Sequence, residues 1–461
     1  MFEEFMVHNL FKESIKKFEA NDPQLKKLRV LPFKYKSSLM DTPYLYQPGI
    51  YVITGGRQVG KTTFLKQFIL NLLEKKKLNP EKILFLTGEL INSQAKLQRI
   101  AERAIQDSHL KFLLIDEISY IPDWDKAIKF LADAGLLDNT TVILTGSDNH
   151  IIKTAMQRFP GRRGKSDQTN FIFQPLSFTE YIILRAPKLT TAIQKIQKDP
   201  WHTPSKEYER HIQKIDSIFK DYLIVGGYLP AIGEYWQKGT IPKYVFNTYT
   251  EWIIGDMLKH NKSESNLYEI IKGILESYGS QVSWNSLSKY MSIDHHKTVS
   301  DYCELMEQLH IINIISALDF NKLRAAPKKS KKIHFRDPFI FHTASTWLSQ
   351  NFSIENIKSQ LENPEFESML VESVVTGHCN RKKEAFYIKG VGEIDVAILL
   401  GKKIQPIEVK WTTQIRSKDL KEIQKHKNGI ILTKGIHINT IGENLRVPVS
   451  RFLLSLDHQL S

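Results

Sequence analysis

The stretch Gly49-Ile50-Tyr51-Val52-Ile53-Thr54-Gly55-Gly56-Arg57-Gln58-Val59-Gly60-Lys61-Thr62-Thr63 decides how the rest of the chain is read. An apolar run of strand type enters a loop of the form G-x-x-x-x-G-K-[ST], and a helical run, Phe64–Leu73, leaves it. Glycines let successive backbone N–H groups converge on phosphate oxygens, and the helix N-terminus adds partial positive charge. Gly55, Gly56, Arg57, Gln58, Val59 and Gly60 would form the cradle, with Thr63 closing the segment. Lys61 would reach β- and γ-phosphates, and Thr62 would coordinate Mg²⁺. The implied ligand is a nucleoside triphosphate with Mg²⁺.

Downstream, Phe112-Leu113-Leu114-Ile115 is a core-strand pattern that ends in two acids, Asp116 and Glu117. Asp116 can hold Mg²⁺, and Glu117 can orient and deprotonate an attacking water; phosphoryl transfer needs both functions. A third apolar run, Val142-Ile143-Leu144, ends in Thr145-Gly146-Ser147. Beside the acid-bearing strand, Thr145 or Ser147 could sense the γ-phosphate or the water. Arg158, Arg162 and Arg163 follow, and Arg162 is the candidate arginine finger, in cis or from a neighbouring subunit.

Strand candidates Gly49–Thr54, Ile83–Thr87, Phe112–Ile115, Thr141–Thr145 and Asn170–Phe173 alternate with helical patterns, which predicts a parallel, doubly wound sheet over 46–175. Residues 1–45 read as a helical lead-in, with Phe11, Ile15 and Phe18 at helical spacing. Residues 176–262 read as helix broken at Gly226-Gly227-Tyr228-Leu229-Pro230. Over 263–340 the pattern is helix ending at Gly279, short helix around Leu287 and Tyr290, helix through Val299 and Leu309, then strands Ile311–Ala317 and Lys331–Phe335. Three helices and a two-stranded ribbon are the winged-helix order.

The 461 residues are 41% apolar and 25% charged, which excludes a disordered or collagen-like chain. Two cysteines, Cys303 and Cys379, lie too far apart for a metal motif and argue against a disulfide scaffold. The beginning lacks the basic and apolar segments of a secretory signal, and no apolar run reaches the ~18 residues of a membrane span. The expectation is a cytoplasmic protein with no membrane partner. A net charge of +14 favours a polyanionic partner. Seven basic residues and no acid fall within 322–336: Lys322, Arg324, Lys328, Lys329, Lys331, Lys332 and Arg336. A basic wing there would make salt-sensitive contacts with the DNA backbone. The helix before it carries Asp301, Glu304 and Glu307, so that helix packs on protein or brings only His295, His296 and Lys297 to DNA.

Near the C-terminus, Glu393–Leu400 and Lys403–Lys410 flank Gly401-Lys402, a two-residue hairpin connection. If Leu400 pairs with Lys403, Asp395 faces Glu408 and Glu393 faces Lys410, all on one face. Facing carboxylates about 5 Å apart repel unless a cation or proton lies between them. Asp, then Glu-x-Lys on the next strand, is a metal-nuclease arrangement: Asp395 and Glu408 would bind a divalent metal, and Lys410 would stabilise hydroxide or phosphate. A solvated ladder with Glu393 neutralised by Lys410 is the plain alternative.

These motifs resemble an AAA+-type ATPase family common in prokaryotes. The matching stretches are Gly55–Thr63, Asp116-Glu117-Ile118, Ile121-Pro122-Asp123-Trp124, Thr145–Ser147 and Pro175-Leu176-Ser177-Phe178-Thr179-Glu180. The family continues into a C-terminal domain of unknown function similar to restriction-endonuclease-like folds. Gly226–Pro230, Ile394-Asp395 and Ile407-Glu408-Val409-Lys410 match that continuation. Glu372 resembles the helix carboxylate of that fold and joins the metal-ligand candidates. The resemblance implies an α/β architecture. Together with the patterns read above, the expected order is a helical lead-in (1–45), a P-loop NTPase sheet of AAA+ type (46–175), a helical lid (176–262), a winged-helix module (263–340) and a restriction-endonuclease-like α/β domain (341–461). The expected activity is Mg²⁺-dependent ATP hydrolysis coupled to DNA binding and to metal-dependent cleavage. The alternative is an ATP-switched DNA-binding or protein-remodelling scaffold with an inactive nuclease fold. A homo-oligomer or a protein partner fits either.

Overall fold

The architecture is that of a computed structural model, which describes residues 3–157, 164, 166–289, 291–293, 295–435 and 438–459. The chain divides into two compact units, Met1–Gln174 and Pro175–Ser461. Arg158, Arg162 and Arg163 lie outside the described residues.

The first unit is built on five parallel strands: β1 (Gly49–Thr54), β2 (Ile83–Thr87), β3 (Phe112–Asp116), β4 (Thr141–Gly146) and β5 (Asn170–Ile172). Their order across the sheet is β2-β3-β4-β1-β5. β1 and β4 are buried on both faces, as continuous apolar runs in a doubly wound sheet require. In this order the C-terminal ends of β1, β3 and β4 are neighbours, so the loop after β1 opens beside the acids after β3. Helix Lys61–Glu74 leaves that loop and buries Phe64, Phe68 and Leu72.

The lead-in is a series of short helices: Glu3–Lys12, Ile15–Asn21, Pro23–Arg29, Ser38–Asp41 and Pro43–Tyr46. Ser14 caps Ile15–Asn21 and Asp22 caps Pro23–Arg29, each taking backbone N–H groups that a continuous helix would have used internally. These pieces belong to the first unit's core: Phe5 joins the hydrophobic cluster under the sheet, and Asn9 bonds both N–H and C=O of Phe85. Lys66 is buried against Asp22 (3.4 Å), with its ammonium 3.5 Å from the centre of the Phe85 ring.

The second unit begins with helices Phe178–Arg185, Thr190–Lys198, Lys206–Val225, Leu229–Lys238 and Lys243–Lys259. Helices Glu264–Glu276, Trp284–Ser288 and His296–Gln308 follow. Nine strands form its sheet: β6 (Ile312–Asp319), β7 (Arg324–Ala325), β8 (Lys331–Phe335), β9 (Ala385–Lys389), β10 (Glu393–Leu400), β11 (Lys403–Lys410), β12 (Ile430–Thr433), β13 (Asn439–Ile441) and β14 (Asn444–Pro448). Helix Pro364–Lys382, capped by Asn363, carries Glu372 and packs on this sheet.

The ribbon expected as a wing is part of that sheet. β6 pairs antiparallel with β8 and parallel with β9, so the sequence boundary drawn at 340/341 lies inside one continuous layer. The helix before the ribbon packs on protein: Glu307 accepts the backbone N–H of Ile314 at 2.8 Å.

Candidate functional sites

Gln58 and Gly60 adopt φ of 59° and 109°, the left-handed turn that wraps the loop after β1. A Cβ on Gly55 would strike the carbonyl of Phe173, so only glycine lets the backbone pass there. Lys61 is buried, and its ammonium donates to the carbonyls of Gly55 (3.0 Å) and Gly56 (2.9 Å), with Glu117 at 3.7 Å. Thr62 Oγ1 donates to Asp116 at 2.7 Å. Arg57 reaches the Tyr120 hydroxyl at 3.2 Å, and the Val59 side chain is buried.

The residues after β4 hold the two acids. Thr145 Oγ1 donates to Asp116 at 2.5 Å and accepts the Glu117 backbone N–H at 3.2 Å. Ser147 donates to Glu117 twice, from N–H and from Oγ, both at 3.1 Å. Thr145 and Ser147, expected from sequence to sense the γ-phosphate or the water, are thus hydrogen-bonded to the two carboxylates. Burial, with Glu117 adjoining, raises the pKa of Asp116, against the hydrogen bonds from Thr145 and Thr62. A divalent cation is the natural counter-charge for a carboxylate so placed. The hard oxygens of Thr62 and Asp116, and a cradle without Cβ atoms at Gly55, fit a magnesium–triphosphate. Nothing in the sequence pattern marks Gly88; a Cβ there would strike the Glu117 carbonyl, so it keeps room for the turn that carries this acid.

The hairpin in the second unit follows the expected register from Leu400/Lys403 to Val396/Ile407 and stops there. Beyond it, Asp395 takes the Val409 N–H on its own carboxylate at 2.8 Å, and β10 shifts register against β9 between Ile394 and Ala397. Glu408 pairs with Lys410 at 2.5 Å, and its other oxygen, Oε2, is buried with no hydrogen-bond partner among the described residues. Burial, then Asp395, pushes its carboxyl up to about 8. The carboxylates whose oxygens come together are Glu372, Glu393 and Asp395, within 4.8 Å of one another. Of the expected metal ligands, Glu372 and Asp395 are therefore joined by Glu393, while Glu408 is engaged with Lys410.

Within that trio lies Lys332. Its ammonium is 2.7 Å from Glu372 and 3.6 Å from Asp395, and it contacts Glu393 directly; Gln281 donates to Glu393 as well. Lys332 is 1% exposed. Burial alone would lower its pKa, but Glu372, Asp395 and Glu393 outweigh that and raise it. Burial, with Asp395 adding, pushes Glu372 up to about 7. Two basic-wing expectations are thus corrected. Lys332 is buried with its ammonium among the three carboxylates, and Arg336 is bonded to His310 at 2.5 Å. The sequence-level pairing of Glu393 with Lys410 is corrected too, since each has another partner. Lys322, Arg324, Lys328 and Lys329 are exposed, and Lys331 lies over the Trp284 ring at 5.1 Å.

The parallel sheet, glycine loop and paired acids define a P-loop NTPase fold in the first unit. Residues 47–182 match the family model described as an AAA domain. Residues 216–356 and 365–457 match two models described as domains of unknown function, DUF8612 and DUF4143. An uncharacterized protein of Methanocaldococcus jannaschii is 22% identical over 445 residues, which span 93% of this chain and 86% of that protein. One of Haemophilus influenzae is 22% identical over 272 residues, 56% of this chain and 60% of the relative. Among solved structures, a Walker-type ATPase of Pyrococcus abyssi is similar with a TM-score of 0.42 and 12% identity, over 66% of this chain and 93% of that one. No helix among the described residues is long and apolar enough to cross a membrane.

Proposed function

We propose that the first unit hydrolyses ATP with Mg²⁺ and that the second unit, driven by that cycle, associates with the DNA backbone without cutting it. The observation that carries the ATPase reading is the convergence of Lys61, Thr62, Asp116 and Glu117 from the ends of β1 and β3, the two strands that flank β4. Loop N–H groups and Lys61 bind the phosphates, for which Lys61 exchanges its bonds to the Gly55 and Gly56 carbonyls. Thr62 and Asp116 would hold Mg²⁺, which supplies neutralisation of phosphate charge. Glu117, fixed by two bonds from Ser147, orients the attacking water and takes its proton. Arg162 stays a candidate for the charge-stabilising arginine. In the ATPase test, phosphate release is measured for Lys61→Ala; loss of turnover supports the reading, and wild-type turnover in the variant rejects it.

For the second unit, support comes from the net charge of +14 and the exposed Lys322, Arg324, Lys328 and Lys329 around the β6–β8 connection. A backbone binder keeps DNA at moderate salt and releases it steeply as salt rises. Absence of any retention at moderate salt would favour the other reading, in which the ATPase remodels a protein partner. The non-cleaving form of the proposal is favoured by Lys332, which stands among the carboxylates that a nuclease would give to metal.

A further inference from the structure

Three carboxylates meet inside the second unit, from two elements. Glu372 comes from helix Pro364–Lys382, and Glu393 and Asp395 come from β10. Such a group cannot be buried without positive charge, because mutual repulsion adds to the desolvation of each ion. A divalent metal, protons or a basic side chain can supply it. Here the charge comes from β8, a strand more than thirty residues earlier in the chain, through Lys332.

We infer that Lys332 is a tethered cation standing where a divalent metal would bridge Glu372, Glu393 and Asp395, so that these three carboxylates are held together without metal. Four observations support this. The ammonium contacts Glu372 and Glu393 directly and lies 3.6 Å from Asp395, so it stands where an ion bridging the three would stand. The side chain is 1% exposed, so it is built into the layer and does not swing from the surface. β8 is fixed by five consecutive pairings with β6, which leaves the lysine backbone no slack. Further donors serve the same carboxylates: Asp395 accepts the Val409 N–H and Gln281 donates to Glu393. Glu408, the further acid that a metal–hydroxide site would call on, gives one oxygen to Lys410, keeps Oε2 without a hydrogen-bond partner among the described residues, and stands outside the trio. This inference rests on the C-terminal carboxylates alone and stands whether or not the first unit hydrolyses ATP.

The test is Mn²⁺ binding to the full chain without nucleotide, by equilibrium dialysis and by the electron-spin signal of the free ion. The variants are Lys332→Met, Lys332→Arg and the double variant Lys332→Met with Asp395→Asn. Lys332→Met should bind one Mn²⁺ more than the wild type, and the double variant should lose it. Lys332→Arg, which keeps the charge, should bind as the wild type does. If Lys332→Met is poorly folded on its own, millimolar Mn²⁺ should raise its melting temperature and leave the wild type and the double variant unmoved. A wild-type chain that already binds Mn²⁺ in a manner abolished by Asp395→Asn would overturn the inference. So would a folded Lys332→Met that gains no ion, or one whose melting temperature ignores Mn²⁺. ATP turnover in the wild type, read separately, tells failure of this inference from failure of the ATPase reading.

Discussion

Ser147 and Thr145 act on the acids that flank them, and their consequences are kinetic. Ser147→Ala frees one oxygen of Glu117 from a hydroxyl donor, so the carboxylate samples orientations that do not meet the water. We expect about tenfold lower kcat with little change in KM for ATP, a modest share of the effect of a general base. Steady-state kinetics checks it, and a rise in KM alone would assign Ser147 to binding instead. In the second unit, His378 accepts the Phe178 N–H on Nε2 at 2.9 Å, while Nδ1 faces the Val374 carbonyl at 2.8 Å. Burial, with Arg381 adding, pushes its pKa down to about 3. The unfolded chain takes up a proton near the ordinary value of 6.5 and the folded chain does not. The stability that this residue contributes is therefore complete above 6.5 and is lost as pH falls toward 3. The advantage of the wild type over His378→Gln should shrink by about 1.4 kcal/mol per pH unit across that window, read from urea midpoints.

Elements are where sequence and structure agree most and also where they part. β1 and β2 begin and end where apolar patterning placed them, because strands buried on both faces are written as unbroken apolar runs. The β10–β11 register was readable too, since a two-residue turn leaves few choices. Lys332 was not: in sequence it is one lysine in a basic run, and only the fold, which packs helices Pro338–Ser349 and Pro364–Lys382 against β8, shows that it is buried. Its neighbours Ile333, His334 and Phe335 are all buried, and that continuity was the available signal. The glycine break in the helical region has an equally local cause. Gly226 has φ 60° and ψ −154°, and a Cβ there would run into the Asp337 carboxylate, which accepts the Gly227 N–H at 2.9 Å and caps helix Pro338–Ser349. Gly226→Ala should cost about 1–3 kcal/mol or more in chemical denaturation, from backbone strain with the clash added. In the first unit, Asp22→Ala strands the buried Lys66 ammonium and uncaps a helix. We expect a loss of about 3–5 kcal/mol, and a loss below about 1 kcal/mol would show that the lead-in is dispensable.

At the scale of the whole molecule, the charge of +14 is distributed by the fold rather than by the sequence count. Of the seven basic residues in 322–336, four are exposed, one is half-buried over Trp284, and two are engaged inside the protein. Reversing Lys322, Lys328 and Lys329 together should weaken DNA retention on all sequences alike. It should also flatten the salt dependence by about 1 in slope for each phosphate that is no longer neutralised. The functional reading depends above all on whether the loop at Gly55 and the acids after β3 work as one site. The direct measurement is a pair of experiments on Glu117→Gln: calorimetric titration with Mg²⁺ and ATP, and ATP turnover. The expected result is binding close to wild type with turnover lowered at least about a hundredfold. Turnover equal to wild type, or no ATP affinity in either protein, would contradict it.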